Sequence, residues 1–124
     1  MFQVSVEESF SAGHALRDYK GKCENPHGHN YKVRVTLEGA ELDSTGLLYD
    51  FVELKQIIHG VIQILDHRFL NDLPPFDVLN PSAENIAKYF YDEASQRMRQ
   101  QPNGAHIASI TVWETDATAA TYRP

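Results

Sequence analysis

Between Tyr31 and Glu38 apolar and polar side chains alternate without a break: Tyr31, Val33, Val35 and Leu37 fall in one register, Lys32, Arg34, Thr36 and Glu38 in the other. Successive side chains of a strand point to opposite faces, so this pattern is that of a half-buried strand; wound as a helix it would scatter its apolar residues around the axis. A sheet with one wet face must cover its dry one. The chain offers two segments for that task. Phe51, Leu54, Ile57, Ile58, Val61 and Leu65 recur at helical spacing behind Asp50. Asp50 with Glu53 three residues on reads as a capping box with Asp in the Ser/Thr position. A second helix is predicted from Ser82 towards Met98, with Ile86, Phe90, Ala94 and Met98 as its buried stripe.

Three more strands complete the pattern. The first ten residues alternate in part. His106 to Glu114 alternates again, with Ala108, Ile110 and Val112 facing the core, and Ala119 to Tyr122 fits a short last strand. Residues 11 to 26 hold Gly13, Gly21, Asn25 and Pro26 and read as a long loop, as does the proline-bearing stretch from Asn71 to Pro81. The predicted order is β-β-α-α-β-β. It implies one α+β domain over residues 1–124, an antiparallel four-stranded sheet with two helices on one face. The length of 124 residues suits one domain, and small domains bury a limited fraction of their surface, so self-association is expected.

Chemistry concentrates on the histidines. In an extended segment residues i and i+2 share a face, so His27 and His29 can reach one ion, with Gly28 leaving room between them. His14 ends the first strand, and a hairpin would return it beside that pair. Three neutral imidazoles suit zinc and leave a fourth position for water or substrate. Taken one at a time, they also fit ordinary polar loop histidines.

Cys23, the one cysteine, lies four residues before His27 among Lys22, Glu24 and Asn25. Near a cation its thiolate could act as base or nucleophile, or serve as a fourth metal ligand; a buried inert thiol is the remaining reading. Asp66-His67 fits either a dipole-favoured helix end or a catalytic dyad. Glu114 shares the register of Ile110 and Val112 and so points inward, where it would suit a guanidinium-like group through paired hydrogen bonds; the alternative is an edge position where the strand leaves the core. His59 and His106 carry no functional reading.

The formal charge of −6 argues against a nucleic-acid surface. Arg17, Lys20 and Lys22 form the one basic cluster, a guess for an anionic group of a substrate against the reading of a solvated loop. MFQVSVEESF lacks the basic lead and apolar run of a secretory leader, and no stretch nears the ~20 apolar residues of a membrane helix, so a cytoplasmic location is expected.

These residues lie in segments that resemble the 6-pyruvoyltetrahydropterin synthase superfamily: FSAGH (10–14), CENPHGHNYKVRV (23–35), TGLLYDFVELK (45–55), LDHRFLN (65–71), NPSAENIA (80–87) and VWET (112–115). The resemblance implies a tunnelling fold whose subunits assemble into barrels, commonly a hexamer of two trimers with active sites at subunit interfaces. It implies zinc on His14, His27 and His29, a catalytic thiol at Cys23, acid–base partners at Asp66 and His67, and a pterin-gripping carboxylate at Glu114. Three residues separate Cys23 from His27, the spacing typical of the carboxytetrahydropterin branch, which acts in queuosine biosynthesis; the pyruvoyl branch typically has five. A folate-pathway group uses a glutamate at the cysteine's spacing, and Glu24 stands one position too close to match it. The implied substrate is 7,8-dihydroneopterin triphosphate.

Overall fold

The alternating strand extends beyond its predicted ends. In the computed structural model, which describes residues 1–19, 21 and 24–124, β1 spans Phe2–His14 and β2 spans His27–Gly39. The predicted loop therefore begins only after His14, and the His-Gly-His segment is itself strand. Lys20, Lys22 and Cys23 lie outside the described residues. Helix α1 (Phe51–Leu65) follows, then β3 (Arg68–Phe69), a 3-10 turn at Leu70–Asp72, α2 (Ala83–Arg97), β4 (His106–Thr115) and β5 (Thr118–Tyr122).

Caps fix both helices. The Asp50 carboxylate accepts from Val52 N–H at 2.8 Å, and Ser82 Oγ accepts from Asn85 N–H at 3.2 Å. The apolar stripe of each helix lies on one face of the sheet. Val33, Val35, Leu37, Ile110 and Val112 meet Ile58, Val61, Ile86, Phe90 and Ala94, all fully buried. Phe51, counted in the predicted stripe, stands half exposed at the start of α1. The other sheet face is polar: Glu7 pairs with Arg34, and Lys32 and Arg34 lie over the Trp113 ring at 4.3 and 4.9 Å.

The sheet corrects the expectation of four antiparallel strands. It has five, in the order β3-β1-β2-β4-β5, and is mixed, because Arg68–Phe69 runs parallel to Ala12–Gly13. A two-residue strand has no periodicity to read. It forms because His67, with φ of 59°, turns the chain back against β1 as it leaves α1. Two irregularities shape β4. Ala108 has no partner on β2, since Thr36 pairs with Ser109 and Leu37 with Ile107, so Ile107 turns inward in the place predicted for Ala108. Glu114 is likewise the residue skipped against β5, where Trp113 pairs with Ala119 and Thr115 with Thr118. Such bulges re-aim a side chain and release its backbone from the ladder.

Candidate metal centre and the adjoining cleft

The β1–β2 hairpin sets the site by register. His14 is the cross-strand partner of His27, and Ala12 that of His29, so the three imidazoles converge on the helix-covered side of one end of the sheet. Their ring centroids lie 4.5, 5.1 and 4.8 Å apart, each pair edge to face. Glu114 arrives from β4. One ligand atom from each of His14, His27, His29 and Glu114 lies within 4.8 Å of all the others, a group able to hold a metal ion.

The protons can be placed. His14 Nδ1 lies 2.7 Å from the Pro81 carbonyl, and His27 Nδ1 lies 2.7 Å from the Asn25 carbonyl. A carbonyl oxygen only accepts, so in both neutral rings Nδ1–H donates and Nε2 carries a lone pair. Those two Nε2 atoms face each other at 3.0 Å. Two lone pairs at that separation repel unless a cation or a proton lies between them. Burial holds His14 below the ordinary histidine pKa, against the opposing pull of the Pro81 carbonyl and the Glu114 charge; the His27 and His29 rings lower it further. Neutral rings with inward lone pairs are the form in which histidine binds metal, and the backbone carbonyls are the outer partners that aim them.

Glu114 Oε1 stands 2.9 Å from His29 Nε2 and 3.7 Å from His14 Nε2. The shorter contact is close but poorly aligned, and buried His29 Nε2 makes no hydrogen bond among the described residues. The Tyr31 hydroxyl beneath it is also buried and unpartnered among the described residues. Tyr31 stacks on Phe10 at 5.0 Å and meets the His14 and His29 rings edge-on; burial, then the Glu114 charge, raises its pKa and keeps it protonated. Unpaired buried polar atoms are rare and call for a reason. Here the donor set itself, three imidazoles and a carboxylate, is one that zinc favours.

Asp66 and His67 form a pair of their own on the far side of β1. Asp66 Oδ1 accepts from Ser11 N–H at 2.9 Å, and Oδ2 lies 3.1 Å from His67 Nδ1. The Ser11 amide foremost, then His67, hold the Asp66 carboxyl below the usual carboxylate range. A cleft of about 470 Å³ lies beside this pair: His67 lines it together with His29, with Gly13 and Gly28 paired across its floor. A Cβ on Gly28 would meet nothing closer than the Ala12 carbonyl at 3.7 Å, so the room this glycine leaves is in the cleft and not between the ligands.

Arg17 does not present a free cation. Its guanidinium donates to the carbonyls of Leu79 at 3.2 Å, Phe76 at 2.7 Å and Asn71 at 3.5 Å. It thereby ties the segment after His14 to the loop before α2. Two asparagines do the same. The Asn71 amide both accepts from and donates to Ala15, at 2.9 and 2.8 Å, and the Asn80 amide does so with Arg17, at 2.8 and 3.0 Å. Sequence reading assigned neither a role. Both sit in motif segments, but nothing in their spacing shows that an amide will close a backbone pair from a distance.

A family model described as 6-pyruvoyl tetrahydropterin synthase matches residues 3–124. The chain belongs to that family. A 6-carboxy-5,6,7,8-tetrahydropterin synthase of Bacillus subtilis is 34% identical, over 99% of this chain and 86% of its own. The human 6-pyruvoyl tetrahydrobiopterin synthase is 36% identical, over 98% and 90%. The solved 6-pyruvoyl tetrahydropterin synthase of Caenorhabditis elegans superposes with a TM-score of 0.87 at 32% identity, covering 99% of this chain and 95% of that one. Relatives of both kinds within the 6-pyruvoyl tetrahydropterin synthase family thus lie at similar distance. No helix among the described residues is long and apolar enough to cross a membrane.

Proposed function

We propose that this chain is a zinc-dependent carbon–carbon lyase that converts 7,8-dihydroneopterin triphosphate and water into 6-carboxy-5,6,7,8-tetrahydropterin, acetaldehyde and triphosphate, in queuosine biosynthesis. The observation that carries the reading is the pair of inward-facing lone pairs on His14 and His27, converging with His29 and Glu114, in a chain of this family. Bound there, zinc supplies Lewis acidity towards the hydroxyls of the substrate side chain. The carboxylate of Glu114 accepts from the 2-amino group and N3–H of the pterin, two parallel hydrogen bonds that fix the ring. Cys23, as thiolate, moves protons on one face of the side chain. His67 moves them on the other, with ionised Asp66 holding its Nδ1–H and leaving Nε2 for the substrate.

His67 is 82% exposed and lies at the edge of the sheet. That placement supports the reading in which subunits assemble, as a hexamer of two trimers, and complete each active site between copies. The branch assignment rests on the Cys23–His27 spacing, and the similar identity to the human relative favours the pyruvoyl reaction as the second reading. Mass spectrometry of the products from zinc-loaded protein and 7,8-dihydroneopterin triphosphate separates them. Carboxytetrahydropterin with acetaldehyde is expected. A pyruvoyl product keeps the site and moves the chain to the sister reaction; no turnover of the pterin removes the reading.

A further inference from the structure

Glu114 has two tasks within reach and one carboxylate. In the pterin-binding role its oxygens must point at a ring edge. In the structure Oε1 instead lies among the imidazoles, 2.9 Å from His29 Nε2 and 3.7 Å from His14 Nε2. A salt link to histidine explains this poorly. His14 donates its Nδ1–H elsewhere and presents a lone pair, and His29 Nε2 makes no aligned hydrogen bond to the carboxylate despite the short distance. Oxygen and nitrogens that approach closely without pointing protons at one another are arranged as ligands of a common cation. For bonds of about 2.0–2.2 Å to zinc, tetrahedral geometry puts neighbouring ligand atoms ~3.3–3.6 Å apart. The 2.9, 3.0 and 3.7 Å separations bracket that range. The backbone also leaves Glu114 movable, since the bulge against β5 passes it over in the ladder and its side chain is 24% exposed.

We propose that Glu114 closes the fourth position of the metal site in the ligand-free protein and is released from it when substrate binds. This rests on the metal reading above and deepens it: the site protects itself from stray ligands, and substrate binding becomes an exchange in which the pterin edge draws the carboxylate away from the position the side-chain hydroxyls then take.

The test is cobalt(II) substitution followed by azide, a small anion that binds cobalt only where a position is open. The visible spectrum reports coordination without reference to turnover. The wild-type cobalt protein is expected to resist azide, while Glu114→Gln takes it up at concentrations at least tenfold lower and shows a changed spectrum before azide is added. Glu114→Asp separates coordination from charge. It keeps the negative charge but draws the carboxylate back by one methylene, and is expected to behave like Glu114→Gln; it also provides a second variant should either fail to fold. Equal azide midpoints and unchanged spectra in all three proteins overturn the proposal while leaving the histidine site intact. Failure of the wild-type protein to bind cobalt overturns the metal reading itself.

Discussion

His67 takes a backbone conformation, φ of 59°, that residues with a Cβ avoid, and its ring projects into solvent and the cleft. A left-handed non-glycine residue costs about 1–2 kcal/mol. His67→Gly should therefore be at least as stable as the wild-type protein, by up to about 1 kcal/mol in chemical denaturation. Its turnover should fall by ~10²–10⁴ if the ring moves protons. A glycine variant that retains turnover removes His67 from the chemistry. Cys23→Ala belongs beside it: metal content and melting temperature should be unchanged and turnover lost, whereas loss of metal would make the thiol a ligand. At this scale the sequence was informative where a residue's role follows from local register. His27 and His29 share a face by strand geometry, and His14 meets them by hairpin register. It was silent on Tyr31, whose hydroxyl sits on a residue that reads as core, and on Arg17, whose charge suggested an anion and whose guanidinium binds carbonyls.

Between elements, the connections that hold the site are long-range and polar, which is why periodicity did not reveal them. The β1 end that carries His14 is bracketed by the Asn71 and Asn80 amides and by the Pro81 carbonyl on the His14 ring. Asn80→Ala leaves the N–H and carbonyl of Arg17 without partners, a cost of about 1–3 kcal/mol if both stay shielded from water. Because Pro81 is the next residue, metal affinity should fall with stability; a titration showing wild-type affinity in a destabilised Asn80→Ala would confine the amide to folding. Asp66 ties the end of α1 to β1 through Ser11. Its native pKa lies below the unfolded value, so the unfolded chain binds more protons around pH ~4 and below. The contribution is present above the unfolded carboxylate pKa and is lost as pH falls through the native one. Asp66→Asn should lower stability at neutral pH and flatten the acid limb of the unfolding profile; an unchanged acid limb would mean the pairing adds nothing. The strands and helices themselves were legible because each carries an apolar stripe of the right period. The two-residue β3 carries none, and the bulge at Ala108 breaks the period the sequence displays.

For the whole molecule, the metal site joins elements far apart in the chain: His14 from β1, His27 and His29 from β2, Glu114 from β4, with the loop before α2 aiming the first of them. Anything that binds this arrangement and not the unfolded chain stabilises the fold by mass action, by about 2.7 kcal/mol at a free concentration a hundred times Kd. For a domain of this size that is a rise in melting temperature on the order of 10 °C. Zinc should produce it, a chelator should reverse it, and His29→Ala should lose most of it, while Arg34→Ala on the opposite sheet face should retain it. Assembly could raise the melting temperature as well, but that effect grows with protein concentration whereas the metal effect follows free zinc at fixed protein. A rise that survives His29→Ala, or that tracks protein concentration alone, would assign the stabilisation to contacts between copies and leave the facing lone pairs of His14 and His27 without a metal to explain them.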